Sequence, residues 1–168
     1  MSVPGITEVT QFLTFHLSEE VFAIDISRIK EVLEFSAVTK IPRTPDFMCG
    51  VINLRGSVVP VVDLRLKFGM SISQKTVNTC IIIIDVIQED GSAVIGAMVD
   101  SVKEVMELAP NQVEPAPKIG TGLRTDFIRG MGKQGNHFVI LLDTDKVFSS
   151  TELSMLQEAS SKTNAKAA

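Results

Sequence analysis

Tryptophan and tyrosine are absent from this 168-residue chain, and cysteine and histidine occur only twice each. Without Trp or Tyr, the usual base-stacking platforms reduce to Phe and His. A net charge of −4 and a pI near 5.2 are opposite to the clustered basic footprint of a nucleic-acid binder. Cys49 and Cys80 stand in apolar neighbourhoods, with no CxxC and no clustering with His16 or His137. Buried free thiols in a reducing cytosol are therefore expected, and a disulfide framework or zinc site has no support. Neither His has a Ser, Cys or carboxylate partner at a recognisable spacing, which removes the triad reading. No secretory segment is visible. The most apolar run, Cys80–Ile84, is ended by Asp85, far short of the roughly 20 residues a membrane span needs. The expectation is a soluble cytoplasmic protein with no metal, no cofactor, no nucleic-acid partner and no direct membrane insertion.

What is present is apolar strand material. Hydrophobic residues make up 45% of the chain and mean hydropathy is +0.25, enough for one domain with a real core. The organising stretch is Gly50–Phe68, GVINLRGSVVPVVDLRLKF. Val51–Leu54 and Val58–Leu64 are rich in β-branched residues and flank Arg55-Gly56-Ser57, which reads as strand, turn, strand. Pro60 cannot donate a ladder hydrogen bond, so its strand is at an edge, bulged, or bent at a barrel corner. Arg55 is either a solvated turn arginine, one bridged to Asp63 across the hairpin, or a recognition residue held out by a rigid scaffold.

The rest of the chain follows the same grammar. A loose arm over 1–7 precedes a strand carrying Phe12, Leu13 and Phe15, a turn at Ser18-Glu19-Glu20, and a strand over Val21–Ile26. Ser27 is a candidate cap for one helical turn bearing Ile29, Val32 and Leu33, and a short strand over Ile29–Phe35 fits as well. Thr39–Phe47, with Pro42 and Pro45, reads as an ordered loop. The polar segment Gly69–Thr79 is the candidate internal boundary. Cys80–Ile87 and Ala93–Val99 form a hairpin, Val102–Leu108 a strand or short helix, and Pro110–Gly122 a connection. Phe127–Met131 pairs with Phe138–Leu142. Ser149 and Glu152 match a capping box for a C-terminal helix packed by Leu153 and Leu156, before a loose tail over 160–168.

Three motif pairs recur in order. Ile29-Lys30-Glu31-Val32 returns as Val102-Lys103-Glu104-Val105, Arg55-Gly56 as Arg129-Gly130, and Asp63–Phe68 as Asp143–Phe148. A duplicated unit of about five strands follows, too small to be stable alone, which favours two barrels packed together. Gly130 to Gly135 fits GxGxxG, yet a strand rather than a helix follows, so it is read as a hairpin turn. Asp25, Asp63, Asp85, Asp100 and Asp143 each follow an apolar run. A hydrolase would pair two of them in one cleft, but strand-end Asp residues serve more often as turn or cap acceptors. Met98, Met106 and Met131 are read as core filler. The residue types give the profile of an interaction protein without catalysis, with a small Asp-dependent hydrolase or an apolar-pocket ligand binder as alternatives.

The NLRG turn and the following VVPVVDLRLKF, with the upstream IKEV and the Ile41–Phe47 stretch, resemble the CheW-like family of bacterial chemotaxis coupling proteins. The resemblance spans nearly the whole chain. It implies a mainly β fold of two packed five-stranded SH3-like barrels with short helices, over residues 8–159, with subdomains of about 18–72 and 79–148. It implies an adaptor linking the cytoplasmic tips of methyl-accepting chemoreceptors to the regulatory domain of the histidine kinase CheA, monomeric when free and ring-forming in arrays. By position, Arg55 and Gly56 match the family's coupling turn, and Glu31 with Ile29 and Val32 matches its partner-binding segment. Leu33 and Glu34 stand where relatives often carry Arg and Gly, and Pro42-Arg43 precedes the Thr-Pro step, which bears on partner choice. An adaptor of another receptor–kinase pathway, such as surface motility, is the nearest alternative.

Overall fold

Four consecutive isoleucines, Ile81 to Ile84, leave no polar face, and the strand they form is buried on both sides. In the computed structural model, which describes residues 6–35, 38–42, 45–70, 75–88, 91–116 and 127–148, Ile81 and Ile83 enter one hydrophobic cluster. Ile82 and Ile84 enter another. That two-sided burial sets the architecture.

The described chain is mainly β. Its strands are β1 (Thr10–Leu17), β2 (Glu20–Asp25), β3 (Ile29–Glu34), β4 (Met48–Leu54), β5 (Ser57–Asp63), β6 (Cys80–Gln88), β7 (Gly91–Val99), β8 (Ser101–Leu108), β9 (Val113–Glu114), β10 (Ile128–Gln134) and β11 (His137–Leu142). One-turn helices α1 (Leu64–Lys67) and α2 (Thr144–Val147) follow β5 and β11. A five-stranded sheet runs β3-β6-β7-β5-β4, and a six-stranded sheet runs β8-β1-β2-β11-β10-β9. Each curls around its own interior. All five strands of the first sheet supply its cluster, with Leu33, Ile52, Val61, Ile83 and Met98 among its members. Phe12, Ala23, Met106, Leu108, Val113 and Leu141 fill the second. This is the expected SH3-like pair, with the two-residue β9 added to one barrel.

Between the barrels lies a third, shared core. Phe15, Phe22, Val62, Ile82, Ile84, Ile95, Phe68 and Phe148 meet there. A row of phenylalanine rings crosses it, Phe15 to Phe22 to Phe68 to Phe127, at centroid spacings of 6.1, 5.8 and 5.9 Å. Such spacings are those of favourable ring pairs.

The barrels are related strand by strand. β4, β5, β6, β7 and β3 occupy the places that β10, β11, β1, β2 and β8 occupy in the other sheet. Both hairpins start with the same register shift, at Met48/Gly50 and at Ile128/Gly130. Both close on the same backbone bond, Asp63 N–H to Phe47 O at 2.7 Å and Asp143 N–H to Phe127 O at 2.9 Å. The IKEV and VKEV motifs are matching β-bulges, which skip Lys30 and Lys103. Arg55-Gly56 corresponds in space to the turn at Gly135-Asn136, not to Arg129-Gly130. Arg129 lies inside β10, at the place of Cys49.

The repeat is not laid out as successive halves. Residues 29–99 hold a whole middle barrel, whereas β1–β2 and β8–β11 together complete an outer one. Segment 69–79 therefore joins two strands of the same sheet, and the divisions 18–72 and 79–148 do not coincide with the sheets. Ile6, expected in a loose arm, is 1% exposed inside the outer barrel. The cap of the 3₁₀ turn at Ile26–Arg28 is Asp25, whose carboxylate accepts the Ser27 amide, and β3 begins directly after it. β5 is internal rather than at an edge. It accommodates Pro60 because the opposite residue, Val51, directs its N–H and C=O away to Thr39, and pairing to β7 starts only at Val61. The thiols are free and half-buried rather than fully buried. The C-terminal helix with Leu153 and Leu156, its Ser149–Glu152 cap and the tail over 160–168 lie outside the described residues.

Ile83 is fully buried in the middle barrel, whereas Ile87 on the same strand is 53% exposed. Ile83→Ala should cost about 2–5 kcal/mol, and Ile87→Ala should stay within about 0.5 kcal/mol. Urea denaturation of both variants checks the contrast.

Candidate partner-binding surface

The five-stranded sheet ends in β3 on one side and β4 on the other, and a single ion pair joins its ends. Arg55 Nη1 and Nη2 donate to the two carboxylate oxygens of Glu31, at 2.6 and 3.0 Å. The bidentate fork is the strong geometry for this pairing. It raises the guanidinium pKa further, through the hydrogen bond first and the charge second. Arg55 remains 74% exposed and Glu31 23%.

The turn that carries Arg55 connects β4 and β5 through two residues, both at positive φ: Arg55 at 52° and Gly56 at 87°. Two left-handed central residues match the twist of a two-residue hairpin. Gly56 takes that conformation without cost, and its N–H is held by Asn53 Oδ1 at 2.8 Å. Arg55 does not, since a Cβ crowds the following carbonyl in the left-handed region. The equivalent turn of the outer barrel has Gly135 at φ 61° instead. At this hairpin position a side chain is thus kept left-handed in the middle barrel alone, while in the outer barrel the left-handed side chain is Ser18 of the β1–β2 turn, at φ 56°.

Of the five residues singled out by sequence, Arg55, Gly56 and Glu31 come together at this seam. Val32, next on β3, is 41% exposed beside them. Ile29 separates from them and packs against the shared core, so it supports the strand from inside. Arg55 does not bridge to Asp63, which is buried and taken by another arginine.

That arginine, Arg65 on α1, is the residue sequence reading passed over. It is 1% exposed. Its Nε and Nη2 donate to the two oxygens of Asp63 at 3.0 and 2.8 Å, and its Nη1 donates to Asp100 at 2.8 Å. The hydrogen bond with Asp63 and both acidic charges raise its pKa against the opposing effect of burial. The signal was an arginine inside the apolar Leu64-Arg65-Leu66 run, two residues after a strand-end Asp.

The strand-end aspartates serve mainly as caps and ion-pair partners. Asp63, as N-cap of α1, accepts the Arg65 amide at 2.9 Å. Asp85 sits within β6, 4.0 Å from Lys30. Asp25 and Asp143 do share a cleft of about 440 Å³ with Asp145, Arg28 and Arg129. There Arg129 holds Asp25 at 3.2 Å and Arg28 holds Asp145 at 3.1 Å. Burial acts to raise the Asp25 pKa, but the Ser27 hydrogen bonds and Arg129 outweigh it and the net shift is downward. A general acid needs the opposite. The Cys49 thiol is pushed up to about 11 by burial and the Asp63 charge, which keeps it protonated at neutral pH. Among the described residues, no group of three or more His, Cys, Asp or Glu is placed to hold a metal. No described helix is long and apolar enough to cross a membrane. Met98 and Met106 fill the two barrel interiors.

Two small barrels sharing a core, with a charged seam on the surface, define a protein-interaction module. The chain belongs to the CheW-like family, whose CheW-like domain model matches residues 11–152. It is 38% identical over 152 residues to a chemotaxis protein CheW of Klebsiella aerogenes, covering 90% of this chain and 89% of that one. It is 32% identical to the chemotaxis protein CheW of Treponema pallidum, covering 89% and 88%. The crystal structure of the scaffolding protein TtCheW from Thermoanaerobacter tengcongensis superposes with a TM-score of 0.76 at 34% identity, covering 85% of this chain and 94% of that one. This is a family of chemotaxis scaffold and adaptor proteins.

Two expectations follow from the geometry. Arg55→Gly removes a side chain from a left-handed residue and should melt at or above both the parent and Arg55→Ala in a thermal scan. The Asp25 carboxylate has a folded pKa below the unfolded value of about 3.9. Its stabilisation is therefore complete above that value and is lost as pH falls through the folded pKa. Asp25→Asn should flatten the acid limb of stability against pH, measured by denaturation below about pH 4.5.

Proposed function

We propose that the protein is a coupling adaptor that links chemoreceptor signalling tips to the regulatory domain of the histidine kinase CheA, and that the Arg55–Glu31 seam is one of its partner surfaces. The observation that carries this is the exposed, bidentate pair at the closure of the middle barrel. An exposed pair adds little to stability. The strained turn beneath Arg55 argues that the side chain is kept for something other than folding. Val32 supplies apolar contact beside a charged pair, the combination found where an interface centre meets its rim.

The role needs no turnover, and the adaptor acts by holding two partners together. It is recruited from the cytoplasm to membrane-associated arrays, monomeric when free and ring-forming when bound. Family membership supports this reading. An adaptor of a surface-motility pathway would use the same surface with a different kinase.

The test is capture of a purified receptor signalling fragment and of the CheA regulatory domain on immobilised protein. Arg55→Ala and Glu31→Ala should melt near the parent and weaken capture of at least one partner by roughly thirtyfold, the size of an interface hot spot. Glu31→Lys should be weaker still, because it repels Arg55 as well as the partner's complementary charge. Normal capture by folded alanine variants refutes the surface. Turnover of nucleotide, phosphoester or peptide by purified protein that depends on Asp25 or Asp63 refutes the adaptor role as the sole function.

A further inference from the structure

The two barrels are joined by two charge clamps that occupy equivalent places in the repeat but differ in burial and polarity. In the first, Asp100 stands between β7 and β8. Its Oδ2 accepts the Ser18 amide at 2.6 Å, from the β1–β2 turn of the outer barrel, and its Oδ1 accepts Arg65 from α1 of the middle barrel at 2.8 Å. The Asp100 amide in turn donates to His16 O, which fastens it to the outer barrel. In the second clamp the carboxylate is on the helix. Asp145 of α2 accepts the Ile87 amide at 2.8 Å and Arg28 at 3.1 Å. Ile87 holds the place in β6 that Ser18 holds after β1, counted from the matching bulges opposite Ile29 and Val102.

The difference lies in solvent. Arg65 is 1% exposed and is also gripped by buried Asp63, with Asp100 20% exposed, whereas Arg28 and Asp145 are 30% and 31% exposed. A charge pair with water around it is loose and screened. A buried one cannot give up its partner without stranding a charge in the interior. Burying an ion pair is also a poor way to gain stability, since a packed apolar residue often does as well, so its distinctive contribution is a fixed geometry. The planar fork of arginine suits this role where lysine does not.

We infer that Arg65 is a positioning residue that sets the angle between the two barrels through Asp100, while the Arg28–Asp145 clamp leaves that angle unchanged when broken. A partner touching both barrels at once meets them at the angle Arg65 fixes. This inference does not rest on the identity of any partner.

The experiment places nitroxide labels at Glu34→Cys on β3 and Glu107→Cys on β8, exposed and equivalent positions in the two barrels. Cys49 and Cys80 are replaced by Ala, and the inter-label distance distribution is measured by double electron–electron resonance. Asp100→Ala removes the bonds to Arg65 and to the Ser18 amide together and leaves Arg65 on Asp63. It should shift or broaden the distribution while far-UV circular dichroism and the presence of a cooperative melt are unchanged. Arg65→Lys should do the same, and if it does not fold, Asp100→Ala decides alone. Asp145→Ala, which removes both bonds of the second clamp, should leave the distribution as in the parent. The inference is overturned if folded Asp100→Ala gives the parental distribution, or if Asp145→Ala moves it as far as Asp100→Ala does.

Discussion

Each sheet of this protein has two faces to bury, and that constraint governs most of what else is seen. A small barrel buries one face around itself. The opposite face of β6, β7, β1 and β2 is equally apolar and finds cover only on the other barrel. The shared core is for this reason as much a part of each barrel as its own interior. The phenylalanine row across it supplies large apolar area that the absence of Trp and Tyr would otherwise deny. Its aromatic residues have no polar atoms to satisfy, an advantage where two sheets meet face to face.

Polar groups then take the places the apolar faces leave. At the seam of the middle barrel, the sheet closes with Arg55 on Glu31. Where the barrels join, carboxylates on short helices and connections collect amides and guanidinium groups. The charged cleft around Asp25 and Asp145 contains three carboxylates, but its two arginines hold two of them as ion pairs. An Asp held ionised below its ordinary range does not serve as a general acid at neutral pH.

Sequence revealed what periodicity and turn chemistry encode. The central hairpin, its Arg55-Gly56 turn, the run through β6 and the paired Asp-to-Phe segments were all visible as local patterns. The duplication was visible too, because matching bulges and caps leave matching letters. What local patterns do not encode is which strand pairs with which. β5 beside β7 and β11 beside β2 are parallel pairs between strands not joined by a turn, so the outer barrel's assembly from both ends of the chain went unread. The Arg55–Glu31 pair was half legible: both residues were singled out, but their contact depends on sheet closure. Arg65 was missed because its surroundings, rather than its neighbours in sequence, make it buried.

The interleaving of the barrels has a consequence for loop closure. β1 and β2, with Phe12, Phe15 and Phe22 among their side chains, lie about 80 or more residues before their sheet neighbours β8 and β11. The middle barrel is contiguous in sequence, so its strands close only short loops, whereas pairing β1 with β8 and β2 with β11 closes loops that span the whole of it. The outer barrel therefore carries the larger entropic cost of closure, and the apolar face that the middle barrel shares with it is where that cost is offset.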